Sequence, residues 1–360
     1  MKIALNMIAG PGTSAELDRC LQSLNLATAG IGGAFIDGVV ITLTTRDDAA
    51  LSAVARKYCD PIFFDWCDDF SAVRNFCLDN TPKNFDHIFW LDSDDIVKPS
   101  EYQKLLEFKQ GFNQQFDVIM MQYNYVHDLS DSVLMTLPRE RLWRIDTGIR
   151  WFDPVHEYLN ISGKIYKIDI AIDHYQKNSE QSNQRNIRIY EKMDENVLRP
   201  RSLFYYAKEI SFVSDEKSHE LYVRFVKNPD TSDNACLAYQ KLALYEYNHK
   251  NYDECIRLCN EAIKHSIQYA ETYYILATAY ERLGNKHMAE SNYKICLLKE
   301  YGNAGMSQLA PYYRILPLWR LIISAIRRDD LQIALTYISE LGSNAPEALK
   351  YLQTCLRPLA

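Results

Sequence analysis

At 360 residues the chain is long enough for two domains of ordinary size, and an apolar fraction of 47% beside 24% charged residues excludes wholesale disorder. A formal net charge of −7 argues against a generally basic nucleic-acid binder. The charge is uneven: residues 1–184 hold 17 Lys and Arg against 26 Asp and Glu, while 185–360 hold 23 against 21, so the first half suits a metal ion and the second says little about a partner. No uninterrupted apolar run approaches the roughly 18 residues of a membrane span. Met1 to Ile8 reads as a first strand rather than a signal segment. Nine cysteines with no C-x-x-C pair point to reduced thiols and a cytoplasmic protein, with Cys255 and Cys259 as core packing on a helix.

In chain order, Ile3 to Ile8 is a strand that ends in Gly10-Pro11-Gly12, followed by a helix capped by Thr13 or Ser14 with Leu17, Cys20, Leu21 and Leu24 at helical spacing. After a glycine-rich loop at Gly30 to Gly33, Gly38 to Leu43 reads as a second strand ending in Thr44, Thr45, Arg46 and Asp47. Residues 48–58 are expected to be helical and 61–64 a short strand. Alternation of strand and helix is the pattern of a parallel, nucleotide-binding style of sheet. Asp69 or Ser71 then caps a helix that carries Arg74 and Asn75 in its early turns.

The centre of the chain is His87 to Asp95. Ile88 to Leu91 is apolar on both faces and short, as in a buried parallel strand, and it runs into Asp92, Ser93, Asp94 and Asp95. In extended geometry Asp92 and Asp94 point to one side. Carboxylates at the carboxyl end of a strand lie where an open α/β sheet places its ligand, and such pairs hold Mg²⁺ or Mn²⁺. Beyond this come a helix over 102–110, a strand over 116–125 and the cations Arg139, Arg141 and Arg144. A His156-Glu157 pair follows, then an alternating strand Ile168 to Ile172 that delivers His174. From 185 onward strand signals stop. Tyr239, Leu242, Ala243, Cys259 and Ala262 recur 34 residues later as Tyr273, Leu276, Ala277, Tyr293 and Cys296, the period of a stacked helix-turn-helix repeat. A degenerate unit around Leu203, Tyr206 and Ala207 and a closing pair with Leu331, Ala334 and Ile338 flank it. The expected fold is an α/β domain over 1–184 and an all-α repeat domain over 185–360.

The ordered set N-M-I, W-x-x-D-F-S-x-x-R-N, F-W-L-D-S-D-D, R-x-R-L-W-R and H-E resembles the inverting GT-A glycosyltransferases of family 2. It is similar in particular to those followed by tetratricopeptide-type helices, such as peptide S-glycosyltransferases and related phage enzymes. The resemblance implies a GT-A fold with a mostly parallel sheet, and transfer of a sugar from a nucleotide diphosphate sugar, expected to be a UDP-sugar, to a hydroxyl or thiol. It places the divalent cation (Mn²⁺ or Mg²⁺) on Asp92, Asp94 and His174. It places the nucleotide on Asn6, Met7, Ile8, Thr44, Thr45, Asp69, Arg74, Asn75, Asp92 and Ser93. The catalytic base is expected to be Glu157 first and His156 second. Two loops depart from the family pattern: Ala9 to Gly12 stands where Lys-Asn-Glu is usual, and Leu43 to Asp47 where D-T-G-S-T-D is usual.

Peptide, glycan and hydroxymethylated pyrimidine in DNA all stand as acceptors. Stacked helix pairs present a surface for an extended partner or for a homodimer. From a different class comes a non-catalytic interaction scaffold built on the repeats.

Overall fold

The computed structural model describes residues 1–25, 35–113, 115–127, 131–175, 179–302 and 308–343; the glycine-rich stretch at Gly30 to Gly33 and Cys355 lie outside them. The chain divides into two compact units, Met1–Asp194 and Glu195–Ala360.

The first unit is α/β. Its main sheet has eight strands: β1 (Ile3–Ala9), β2 (Gly38–Leu43), β3 (Ile62–Phe63), β4 (His87–Trp90), β5 (Asp95–Ile96), β6 (Val118–His127), β7 (Val133–Arg144) and β10 (Ile165–His174). They lie in the order β3-β2-β1-β4-β7-β6-β10-β5. The β3-β2, β2-β1, β1-β4 and β6-β10 contacts are parallel, and β4-β7, β6-β7 and β10-β5 are antiparallel. The sheet is thus mostly parallel, as expected. Helices α1 (Ser14–Ser23), α2 (Ala49–Ala55), α3 (Phe70–Asp79), α4 (Pro99–Gly111) and α5 (Ser179–Glu191) accompany it. A small hairpin of β8 (Trp151–Phe152) and β9 (Tyr158–Leu159) stands apart.

The local reasons are chemical. All seven residues of β1 are buried, as a strand covered on both faces requires. One core gathers Leu5, Met7, Leu17, Leu21, Phe89, Leu105 and Ile119; a second holds Ile88, Trp90, Trp143 and Trp151. Helix α2 starts where the Asp48 carboxylate accepts the Leu51 N–H at 2.8 Å, and α4 starts on Pro99, whose missing N–H would be unsatisfied there in any case. Gly38 opens β2 because a Cβ there would sit 2.3 Å from the Phe85 ring. The expected helix over 48–58 is shorter, ending at Ala55.

The helical unit comprises α6 (Pro200–Ile210), α7 (Asp215–Phe225), α8 (Ser232–Asn248), α9 (Tyr252–His265), α10 (Ala270–Arg282), α11 (Lys286–Leu297), α12 (Ile315–Arg327) and α13 (Leu331–Ser343). Small buried residues let successive helices approach: Ala243, Ala262, Ala277 and Cys296 are within 3% of full burial. Tyr293, in the place of Cys259 one period earlier, packs with Ala277, Ala289 and Leu321. No helix among the described residues is long and apolar enough to cross a membrane.

Candidate cation and anion-binding centre

The centre lies at the carboxyl end of β4, where the backbone leaves the sheet after Leu91. Residues 93–94 form a turn closed by the Asp95 N–H donating to the Asp92 carbonyl at 3.1 Å. The Asp92 N–H in turn donates to Asp95 Oδ2 at 3.0 Å. This turn ends the extended geometry that would aim Asp92 and Asp94 to one side, and the two carboxylates take different partners.

Asp92 Oδ1 accepts from Arg74 Nη2 at 2.6 Å, and Glu157 Oε1 accepts from Arg74 Nε at 2.6 Å. One buried guanidinium therefore bridges a carboxylate from β4 and one from the β8-β9 hairpin. Its carbon lies 4.7 Å from the centroids of both Trp90 and Trp151, so the cation is fixed by π faces as well as charge. Burial pushes the Asp92 carboxyl up, but Arg74, then Arg141, outweigh it and bring Asp92 down to about 2. Burial likewise opposes the charge on Arg74, and the two carboxylates more than restore it.

Asp95 is fully buried. It receives Arg141 Nη1 at 3.0 Å and the Tyr123 hydroxyl at 2.9 Å, and lies 3.1 Å from His174 Nδ1. Arg141, also fully buried, sits between the Trp90 and Tyr123 rings at 4.1 and 4.3 Å. Asp94 Oδ1 lies 3.5 Å from His174 Nδ1. Burial raises Asp94 to about 6, with Asp92 and Asp95 adding to the rise against His174. His174 is pulled down by burial, but the Asp95 hydrogen bond and the charges of Asp94 and Asp95 win and hold it above its ordinary value.

Asp94, Asp95 and His174 bring ligand atoms within 4.8 Å of one another. Carboxylate oxygens with an imidazole nitrogen make a donor set that fits a divalent ion such as Mn²⁺. Asp95 already serves Arg141, Tyr123 and the Asp92 amide, and His174 Nδ1 lies 2.8 Å from the Tyr123 hydroxyl, so Asp94 is the ligand of the three with the fewest competing partners. Of the set expected for the cation, Asp94 and His174 come together, Asp92 turns to Arg74, and Asp95 enters.

The other expected residues divide by task. Asn75 pins the hairpin: its Nδ2 donates to the Trp151 carbonyl at 2.9 Å and its Oδ1 accepts the Trp151 N–H at 3.0 Å. Asp69 caps α3 through the Ala72 N–H at 3.0 Å. Asn6 accepts from the Thr81 hydroxyl at 3.0 Å inside the fold. Asn6, Met7 and Ile8 line a cavity of about 10 Å³ with Arg74, Trp90 and Trp151, room for about one water. The Thr44 N–H and hydroxyl face the Ala9 carbonyl, and Thr45 accepts the Asp47 N–H. Ser93 lies in the turn between Asp92 and Asp94. His156 and Asp153, in the hairpin loop, both take left-handed φ, 53° and 73°, a strained backbone of the kind that clusters at binding sites.

Sequence reasoning undervalued Asp95, Tyr123 and the difference among the arginines. Arg139 and Arg141 are two apart on β7 and share a face, whereas Arg144, three further on, has the opposite parity. Arg144 pairs outward with Asp146.

No protein-family model matches the sequence and no curated protein matches it. Among solved structures, it is similar to MamA at 18% identity with a TM-score of 0.39, covering 49% of this chain and 99% of that one. It is similar to PilF of Pseudomonas aeruginosa at 14% and 0.38, covering 49% and 75%. A MamA segment from Desulfovibrio magneticus RS-1 gives 14% and 0.37, covering 46% and 87%. These neighbours are tetratricopeptide-repeat proteins and not glycosyltransferases. They correct the resemblance drawn above: the family 2 assignment, and with it inverting transfer from a UDP-sugar, is withdrawn. The physical reason is that D-x-D, R-N and H-E are short polar tokens. Here Asp92, Arg74 and Glu157 satisfy one another instead of standing open to a ligand.

Proposed function

We propose that this chain is an interaction scaffold whose helical unit binds a protein partner. The observation that carries the reading is the 34-residue recurrence realised as stacked helix pairs, α8-α9 and α10-α11, with equivalent small contacts at Ala243 and Ala277. Such stacks present extended surfaces and need only their neighbours for stability. Exposed apolar positions on these helices, Leu244 at 40% among them, are available for contact. The test is affinity capture by the full chain followed by reconstitution with the purified partner. A complex abolished by Leu244→Glu supports the scaffold, and a partner bound equally well by that variant overturns the assignment to this unit.

A second reading concerns the α/β unit and is favoured by the Asp94, Asp95 and His174 cluster. On this reading the unit takes Mn²⁺ or Mg²⁺ together with a nucleoside diphosphate, and an enzymatic use of that pair belongs to the same proposal. When bound, the ion supplies positive charge to phosphate oxygens; the chain's own residues orient it, through the Tyr123 and Asp95 bonds that fix the His174 ring. A thermal-shift titration of the full chain with Mn²⁺, with and without nucleoside diphosphate, is expected to stabilise the protein. Asp94→Asn is expected to lose that response, and an undiminished response in the variant counts against the site.

A further inference from the structure

In the pairs α8-α9 and α10-α11, the second helix is packed by the first helix of the pair that follows. Ile263 of α9 packs with Ala270 and Tyr273 of α10, and Ala289 and Tyr293 of α11 pack with Leu321 of α12. Helix α9 buries Cys255, Leu258, Cys259 and Ala262, and α11 buries Ala289, Asn292, Tyr293 and Cys296. Helix α13 breaks this pattern. Among its described residues only Ala334 is buried, while Leu331 is 61% exposed, Leu335 65% and Ile338 46%. These three fall at i, i+4 and i+7, so they form one stripe along one helix face. Leu335 also lines an open groove of about 670 Å³ with Gln332, Thr336, Ser339 and Glu340. A terminal repeat needs a polar outer face to stay soluble. This one is apolar, and it lacks the following helix that covers α9 and α11.

We propose that residues 344–360 dock back on α13 as the helix that completes the stack, laying an apolar face on Leu331, Leu335 and Ile338. The residues directly after Ser343 carry the signals. Asn344 followed three places on by Glu347 is a helix-start pattern, and Pro346 falls in the first turn, where its missing N–H costs nothing. Ala345, Ala348, Leu349, Leu352 and Leu356 then recur at i, i+3, i+4, i+7 and i+11, with Glu347, Lys350, Gln353, Thr354 and Arg357 between them. Pro358 stops the pattern. The stretch 345–357 holds 13 residues, the length of α13, so each can lie along the whole of the other. Attachment decides the occupant. A segment joined directly to α13 meets its face at an effective concentration on the order of millimolar, which a dilute second copy of the chain does not reach. Covered in this way, the stripe is closed to other chains, and an open end that would invite end-to-end association is stopped.

The test is hydrogen exchange on the full chain, read at protein concentrations about 50-fold apart. Amides of α13 are expected to exchange about 10-fold faster or more in Leu349→Glu/Leu352→Glu than in wild type, and amides of 345–357 about 10-fold faster or more in Leu335→Glu. Those of α9 and α11 are expected to stay within about 2-fold in both variants, because neither substitution touches the packed interior of the stack. Leu335 is exposed, so its replacement reads the docking without disturbing the core. Unchanged α13 exchange in the double variant, or 345–357 exchanging in wild type as fast as an unstructured peptide, overturns the proposal. Protection of α13 that grows with concentration also overturns it, in favour of a second copy of the chain as the cover.

Discussion

Arg141 and Arg144 are three residues apart on one strand and differ in every property that decides what an arginine contributes. Arg141 is fully buried on Asp95; Arg144 pairs with Asp146 at the surface. Removing one member of a buried pair strands the other charge, which costs about 3–5 kcal/mol, while an exposed pair is worth about 0–1 kcal/mol. Urea unfolding followed by tryptophan emission is therefore expected to show Arg141→Ala strongly destabilised and Arg144→Ala nearly unchanged. Four of the five tryptophans (Trp66, Trp90, Trp143 and Trp151) report on the α/β unit. His87 makes the second residue-scale prediction. Burial holds its pKa down at about 4 from 6.5, and its ring lies 4.9 Å from that of Phe116. The folded state resists a proton that the unfolded chain accepts. Stability is then full above about pH 6.5 and declines as pH falls from there through about 4. His87→Phe is expected to flatten that part of the stability–pH curve; an unchanged slope refutes it.

At the scale of elements, α3 carries Arg74 and Asn75 and is started by Asp69. Asp69→Ala is expected to cost about 1 kcal/mol by losing the cap, and to loosen the Arg74 bridge enough to change tryptophan emission from Trp90 and Trp151; an unaltered melting temperature and spectrum contradict this. The elements most legible in the sequence were those whose burial pattern is uniform. Strands β1 and β4 are apolar on both faces, and α8 to α11 repeat their small residues at fixed spacing. Strand β7 was not legible as a strand. Pro138 interrupts it, and Arg139, Glu140, Arg141 and Arg144 give it the look of a loop, although it lies between β4 and β6. Its charges are tolerated there because the site answers them: Arg141 meets Asp95, a pairing no local pattern announces. The turn after Leu91 was hidden for a similar reason. It is closed by the backbones of Asp92 and Asp95 and by the Asp95 carboxylate, which was not among the expected ligands.

For the whole molecule, motif order misled where repeat period did not. Short polar motifs specify two or three atoms each, and those atoms here bind one another. The 34-residue recurrence specifies a contact at every period and so constrains an entire unit. The α/β unit supplies a buried electrostatic cluster with Asp94 as its partly exposed member, and the helical unit supplies repeated surface. On the scaffold reading the helical unit does the recognising. Hydrogen exchange on the full chain, alone and with its captured and purified partner, tests this most directly. Slowed exchange concentrated in α6, α8 and α10 is the predicted result; protection confined to residues 1–194, or none, would contradict it.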